Sequence, residues 1–269
     1  MRTSFLIGSF CLFFIIPFTL SAQNAGSSAD DENVPEGYQV QTYIDNQGYW
    51  LRMARLGLTR LNPNVIPEPA QYKGSSIKSR SVTIEDSPDV AVTDAGSTQS
   101  ENSVFIDPGE VETILNSNNS LSSSGGTLYG ADGLYSFDTG ESWEGTIYGT
   151  GGTNSGDPSV AIGTNGWFYN GFINSGSGQS CSYSSDQGQT WISVTIAPKP
   201  SGFSSLLDKN HLTIDNSTSS PYEGNLYSGW TSFGGSSDNE IEVARSTDGG
   251  LSWQQKIMIR FDTVLATDA

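Results

Sequence analysis

The chain is poor in cysteine, histidine, basic residues and long apolar runs, and each shortage excludes something. Of 269 residues, two are cysteine and one is histidine. Cys11 lies in the apolar start, so Cys181 stands alone downstream and no internal disulfide can form. Cys181 is read as a buried structural thiol. One histidine and one such thiol cannot build a zinc site, and no metal is expected. Gly149-Thr150-Gly151-Gly152-Thr153 lacks the lysine and following helix of a phosphate loop, and no cofactor is called for. Twelve basic residues against 29 acidic ones leave a net charge of −17, which excludes nucleic acid and an anionic membrane surface as partners. Charged residues make up only 15%, while glycine reaches 31 residues, a composition unlike that of a helical protein. Aromatics at 11% are too many for a disordered acidic chain. What remains is an all-β chain with many tight turns.

Residues 1–22 read as a secretory signal peptide: Arg2 gives a positive start, Phe5 to Leu20 is apolar, and Ser21-Ala22 offers a small-residue cleavage site. The apolar run contains Pro17 and is shorter than the roughly 20 residues that span a bilayer. The expected location is therefore secreted or cell-surface, without membrane insertion once the leader is removed. Residues 23–80 read as a flexible tether, a short helix and a Pro-rich linker. Tyr49, Met53 and Leu56 fall on one helical face over 45–57, with Asp45 or Asn46 as N-cap and Gly57 at the end. Pro63, Pro67 and Pro69 follow, then Lys73, Lys78 and Arg80, which either form a solvated basic strip or dock onto the acidic body.

From about residue 81 to 269 the chain repeats itself. Ser136-Phe137-Asp138-Thr139-Gly140-Glu141-Ser142-Trp143 recurs as Ser184-Ser185-Asp186-Gln187-Gly188-Gln189-Thr190-Trp191, and again as Ser246-Thr247-Asp248-Gly249-Gly250-Leu251-Ser252-Trp253. The shared pattern is S-x-D-x-G-x-[ST]-W. It suits a hairpin corner: the aspartate accepts backbone N–H groups, the glycine takes φ > 0, and the tryptophan turns in to pack between neighbouring units. Each corner is preceded by a carboxylate and an apolar strand, opening at Glu101, Asp157 and Asp208. Second and third strands follow, and a fourth leaves the tryptophan. Each unit is thus four short antiparallel strands, the sequence pattern of a propeller blade.

These octapeptides resemble Asp-boxes, or BNR repeats, and residues 100–260 are similar to secreted sialidase-like Asp-box β-propellers. Ser100 to Pro108 resembles the first-blade opening of bacterial sialidase-like proteins. The resemblance implies a propeller of about six four-stranded blades. It also implies structural Asp-boxes on outer hairpins, and ligand chemistry at a central mouth built from inner strand ends. About three blades are present, so the propeller is partial, and the simplest account is the front part of a longer protein; self-association to complete a ring is the alternative. Family sialidases clamp a substrate carboxylate with three arginines. Here Val65-Ile66-Pro67 lacks the arginine of the Arg-Ile-Pro motif, and only Arg245 and Arg260 fall in the repeat region. Tyr222-Glu223 juxtaposes the residue types of the family's nucleophile pair within a turn-like stretch.

Glu101, Asp157 and Asp208 are read as equivalent positions that crowd toward the mouth. Convergent carboxylates can act as acid and base on a glycosidic bond, bind a hard cation, or cap strand starts. Asp157 and Asp208 are the candidate catalytic pair, and Glu101, Lys209, His211 and Arg245 the candidate ligand-binding residues. One or two aromatics among Trp167, Tyr169, Phe172, Tyr227 and Trp230 could stack on sugars from a rim. The function that the resemblance implies is a sialidase-like glycoside hydrolase homologue acting on extracellular glycans or glycoproteins, similar if active to an exo-α-sialidase, the alternative a non-catalytic propeller that binds glycan or protein partners. The oligomeric state is left open.

Overall fold

A computed structural model describes residues 34–42, 44, 46–60, 76–79, 82–85, 90–122, 126–235 and 239–259. The leader, most of the tether, the linker's Pro63 to Lys73, Arg80 and Arg260 lie outside the described residues. Described residues all belong to one unit, Asn33–Ala269. No helix among them is long and apolar enough to cross a membrane.

The fold is all-β and helix-poor. Strands β1 (Ser76–Ser79) and β2 (Val82–Glu85) pair as an antiparallel ribbon. Three larger antiparallel sheets then follow in chain order. The first contains β3 (Gln99–Ile106), β4 (Ile114–Leu121), β6 (Gly133–Ser136) and β7 (Glu144–Thr146), with the short β5 (Leu128–Tyr129) beside β4. The second holds β8 (Asn154–Ile162), β9 (Phe168–Asn174), β10 (Gln179–Ser184) and β11 (Ile192–Ala197). The third holds β12 (Leu206–Ile214), β13 (Leu226–Phe233), β14 (Glu240–Ser246) and β15 (Ile257–Ile259). Consecutive strands pair, as short hairpin connections require, except that β6 pairs β4 past the short β5.

The octapeptides form the corners between third and fourth strands. Asp138 Oδ1 accepts the Ser142 N–H at 2.9 Å, Asp186 Oδ1 that of Thr190 at 2.9 Å, and Asp248 Oδ1 that of Ser252 at 2.9 Å. The leading serine of each corner donates to the same carboxylate, at 2.7 Å from Ser136, 2.7 Å from Ser184 and 2.8 Å from Ser246. These bonds hold the Asp138 and Asp186 carboxyls down at about 2, the bond from the Ser142 or Thr190 hydroxyl contributing most. Gly140, Gly188 and Gly250 sit at φ +89, +89 and +84. The Trp143 and Trp191 indoles donate to the Gly140 and Gly188 carbonyls at 3.1 and 3.0 Å.

The sheets pack face to face through apolar clusters. Leu115, Tyr135, Val160, Ile162 and Phe168, with Trp191 against them, join the first sheet to the second. Ala161, Tyr169, Cys181, Leu212 and Leu226, with Trp253 against them, join the second to the third. Cys181 is fully buried, and burial pushes its thiol up to about 12, so it behaves as an apolar filler.

Helix α1 (Gln47–Arg55) is capped by Asn46, whose Oδ1 accepts the Tyr49 N–H at 2.7 Å. Gly57, at φ +73, ends it. Ile44, Tyr49 and Met53 bury against Ile173 of β9 and Leu206 of β12. Gly48 is required here, because a Cβ would lie 2.5 Å from the Ser155 Cβ. The helix thus docks on the sheets at the ends of their first strands that lie opposite the corners.

Candidate polar site at the bulged strand ends

Each first strand carries a bulge near its start. Pairing register breaks between Ser100 and Ser103 in β3, between Gly156 and Ser159 in β8, and between Asp208 and His211 in β12. The bulged residues Glu101, Asp157 and Lys209 have φ of +54, +56 and +53. A side chain in that region costs about 1–2 kcal/mol per residue, and here the cost recurs at one position in three sheets. Asp157 is held by its N–H, which donates to Asn119 Oδ1 at 2.9 Å.

This corrects the expected equivalence. Lys209, not Asp208, is the third counterpart of Glu101 and Asp157, and Asp208 sits one residue earlier on the flat part of β12. The third unit has one residue more between its carboxylate and its apolar run: Asp208-Lys209-Asn210-His211-Leu212 against Asp157-Pro158-Ser159-Val160. The bulge places two residues opposite one in all three sheets, so Lys209-Asn210-His211-Leu212 aligns with Asp157-Pro158-Ser159-Val160 and the carboxylate of Asp208 falls one residue before the repeat position.

The bulges bring four ionisable groups from three sheets together. Asp157 and Asp208 are 1% and 8% exposed and lie close enough for their carboxyl groups to interact. Burial raises Asp208 to about 8, helped by the neighbouring Asp157 carboxyl, so Asp208 keeps its proton at neutral pH. Lys209 Nζ reaches Glu101 Oε2 at 3.9 Å, a half-exposed pair that contributes little energy but ties the third sheet to the first. Asp157 Oδ1 and Asp208 Oδ1 are buried with no hydrogen-bond partner among the described residues. Among those residues no cluster of three His, Cys, Asp or Glu could hold a metal ion.

Serine bridges lie just beyond the bulges. Ser103 Oγ accepts the Val160 N–H at 3.1 Å, and Ser159 Oγ accepts the Leu212 N–H at 2.9 Å. Each hydroxyl thus grips the first strand of the next sheet. His211 occupies the third such position and is exposed.

Two other candidates lie apart from this cluster. Arg245 is at the corner end of β14, paired in register with Tyr227, and donates to Gln254 Oε1 at 2.9 Å. Asp208 pairs with Thr231 and Thr231 with Ile241, at the opposite end of the same sheet, so Arg245 is not a member of the site. Tyr222 lies in an exposed turn.

The sequence reading missed Asp132. It is fully buried at the bulged end of the first sheet, and its Oδ2 accepts Ser120 Oγ at 2.5 Å. Burial outweighs that bond and raises its carboxyl to about 8. Also missed was the polar run Asn116-Ser117-Asn118-Asn119-Ser120 of β4, buried throughout and reaching toward β8 and β9. Asn170 Nδ2 bridges Ser117 Oγ and the Asp132 carbonyl, each at 3.0 Å. The serine bridges had a signal in the spacing Glu101-x-Ser103 and Asp157-x-Ser159; Asp132 had none.

No family model matches the chain, and no curated protein matches it. Solved structures similar to it include a protein of unknown function from Dyadobacter fermentans, 17% identical over 67% of this chain and 56% of that one, with a TM-score of 0.47. The Hadza microbial sialidase Hz136 is 15% identical over 58% of this chain and 33% of its own, TM-score 0.38. The α-L-arabinofuranosidase Arb93A of Fusarium graminearum is 14% identical over 60% and 48%, TM-score 0.39. The likeness to these structures, two of them named as carbohydrate-active enzymes, is thus distant, and the chain spans about a third to just over half of their lengths.

Proposed function

We propose that the chain is part of a secreted Asp-box β-propeller directed at extracellular glycans, with its binding site at the bulged strand ends. The observation that carries this reading is the recurrence of one strained bulge in three sheets, bringing Glu101, Asp157, Asp208 and Lys209 to one end. Strain repeated at a polar cluster is more often a functional feature than a folding one. Glu101 and Lys209, with side chains 28% and 56% exposed, offer a carboxylate and an ammonium to sugar hydroxyls at the same end. No arginine joins the cluster among the described residues, so a neutral, hydroxyl-rich glycan fits better than a sialic acid, whose carboxylate calls for a guanidinium clamp.

Binding is favoured over hydrolysis because Asp157 and Asp208 are almost wholly buried, 1% and 8% exposed, whereas a general acid or nucleophile must reach the glycosidic bond. One observation favours the second reading, a glycoside hydrolase homologue: Asp208 holds a proton at neutral pH, as a general acid must. Calorimetry and a glycan array with the wild type and Asp157→Asn test binding, and fluorogenic neutral glycosides and a sialoside test turnover. Binding of neutral glycans that Asp157→Asn weakens, without turnover, is the expected outcome. Equal binding by wild type and variant would remove the site.

A further inference from the structure

Local preference alone would place the bulge of β12 on a different residue. Aspartate and asparagine adopt positive φ more readily than lysine, because their short polar side chains bond the local backbone. Asp208 and Asn210 flank Lys209, yet it is Lys209 that takes φ +53. In the second sheet the aspartate itself bulges, with Asp157 at φ +56. A contact from outside β12 therefore sets which of its residues carries the strain.

Gln179, the first residue of β10, makes that contact. It is fully buried, and both ends of its amide reach β12. Nε2 donates to the Leu207 carbonyl at 2.7 Å, and Oε1 accepts Asn210 Nδ2 at 2.6 Å. These partners bracket the bulge: Asp208 stays in register with Thr231, and pairing resumes at His211 with Gly229. Asn210 Nδ2 also donates to Ser228 Oγ of β13 at 2.9 Å, which fixes that amide in its own sheet. Gly171 leaves room for it, since a Cβ there would clash with Asn210 Oδ1. The second sheet's bulge is gripped from the first in the same manner. Asn119 Oδ1 accepts the Asp157 N–H, and a Cβ on Gly156 would clash with that oxygen. Any buried glutamine needs partners for its amide. Here both bonds end on the four-residue stretch, 207–210, that contains the bulge.

We propose that Gln179 is the positioning residue that selects the bulge in β12. Its two bonds fix the span from Leu207 to Asn210, so that the strain falls on Lys209 and not on Asp208. The third sheet then presents an ammonium where the first and second present the carboxylates of Glu101 and Asp157, and Lys209 Nζ reaches Glu101 Oε2 at 3.9 Å. Without the two bonds the bulge moves back by one residue, and an aspartate takes the third position as well. The selection follows from the pairing alone, whereas its effect on a ligand rests on the glycan site proposed above.

Nuclear magnetic resonance on the full chain tests the selection, because a residue at φ > 0 shows a strong Overhauser effect between its own amide and α protons. In the wild type that signal is expected on Lys209. Gln179→Leu keeps much of the side-chain volume and removes both bonds, and there the signal is expected on Asp208. Calorimetry on the same samples with the neutral glycans of the array should show affinity about tenfold weaker, from loss of one charge-assisted hydrogen bond. A variant that only melts earlier and keeps the signal on Lys209 would overturn the assignment. Should Gln179→Leu fail to fold, Gln179→Glu decides. At about pH 5 its neutral acid restores both bonds, donating its O–H to the Leu207 carbonyl, and at about pH 9 its carboxylate can only accept. The signal is expected to pass from Lys209 to Asp208 as pH rises, and a signal fixed on Lys209 at both values would equally overturn the role. A wild type with no affinity for any of those glycans would remove the binding site and leave the bulge selection standing.

Discussion

The second and third sheets carry the same corner motif and the same strand order, yet they are buried differently. Strands β8, β9 and β10 are buried at nearly every position, because the sheet is packed on both faces. Strand β13 alternates residue by residue between buried and half-buried, as does most of β14, because the described residues cover only one face of the third sheet. A repeat motif fixes the shape of a unit, whereas the number of neighbours fixes its burial. Energies measured at equivalent residues should therefore differ in a way set by position in the stack.

The largest difference is expected at the corner tryptophans. Trp191 packs into the cluster of Leu115, Tyr135 and Phe168, so Trp191→Ala should lower stability by about 3 kcal/mol. Trp143→Ala, at the open end, should cost about 1 kcal/mol in the monomer, since the side chain lies beside a groove. Urea unfolding of the two variants, with m-values compared, checks the contrast. Equal losses would mean that the corners are self-contained and that sheet-to-sheet packing adds little.

A pH effect should come next, from the buried carboxyls at the bulged ends. Asp132 and Asp208 are raised to about 8 in the fold, above the ordinary carboxylate range they regain on unfolding. Between those values the folded state binds more protons, so stability falls as pH rises from about 4 to about 8 and then levels off. The loss between pH 5 and 8 should be on the order of 2 kcal/mol after relaxation, and Asp132→Asn should flatten the curve. Melting temperatures read from pH 5 to 9 would show it; a flat profile across that window would mean that both groups are already ionised in the fold. The corner aspartates act in the opposite sense. Asp138 and Asp186, lowered to about 2, stabilise the fold above pH 4, and this contribution is lost as pH falls toward 2.

The sequence made some of this legible and left the rest hidden for physical reasons. Corner geometry was readable because every position of S-x-D-x-G-x-[ST]-W acts within its own eight residues: Ser184, Asp186 and Thr190 bond one another, and Gly188 supplies the backbone angle. Helix α1 was readable for the same reason, from Asn46 and the spacing of Tyr49 and Met53. Long-range relations were not. Asp208 looked equivalent to Asp157 until pairing with β13 showed which residue bulges. The polar β4 run and Asp132 are buried only because a second sheet and a helix close over them, and nothing in Gly130-Ala131-Asp132-Gly133 announces that.

The smallest effect is the most discriminating. Ser159 Oγ accepts the Leu212 N–H and donates to the Leu212 carbonyl at 3.4 Å, so it ties the second sheet's first strand to the third's. Ser159→Ala leaves a buried N–H without its partner and should cost about 1–2 kcal/mol. His211 stands at the same place in the third sheet, but no strand among the described residues lies beyond it. His211→Ser restores the repeat's own residue and should change monomer stability by less than about 0.5 kcal/mol, the range of an exposed substitution. A stabilised monomer would instead mean that some part of the chain already lies against β12, and that the third sheet is not an open end.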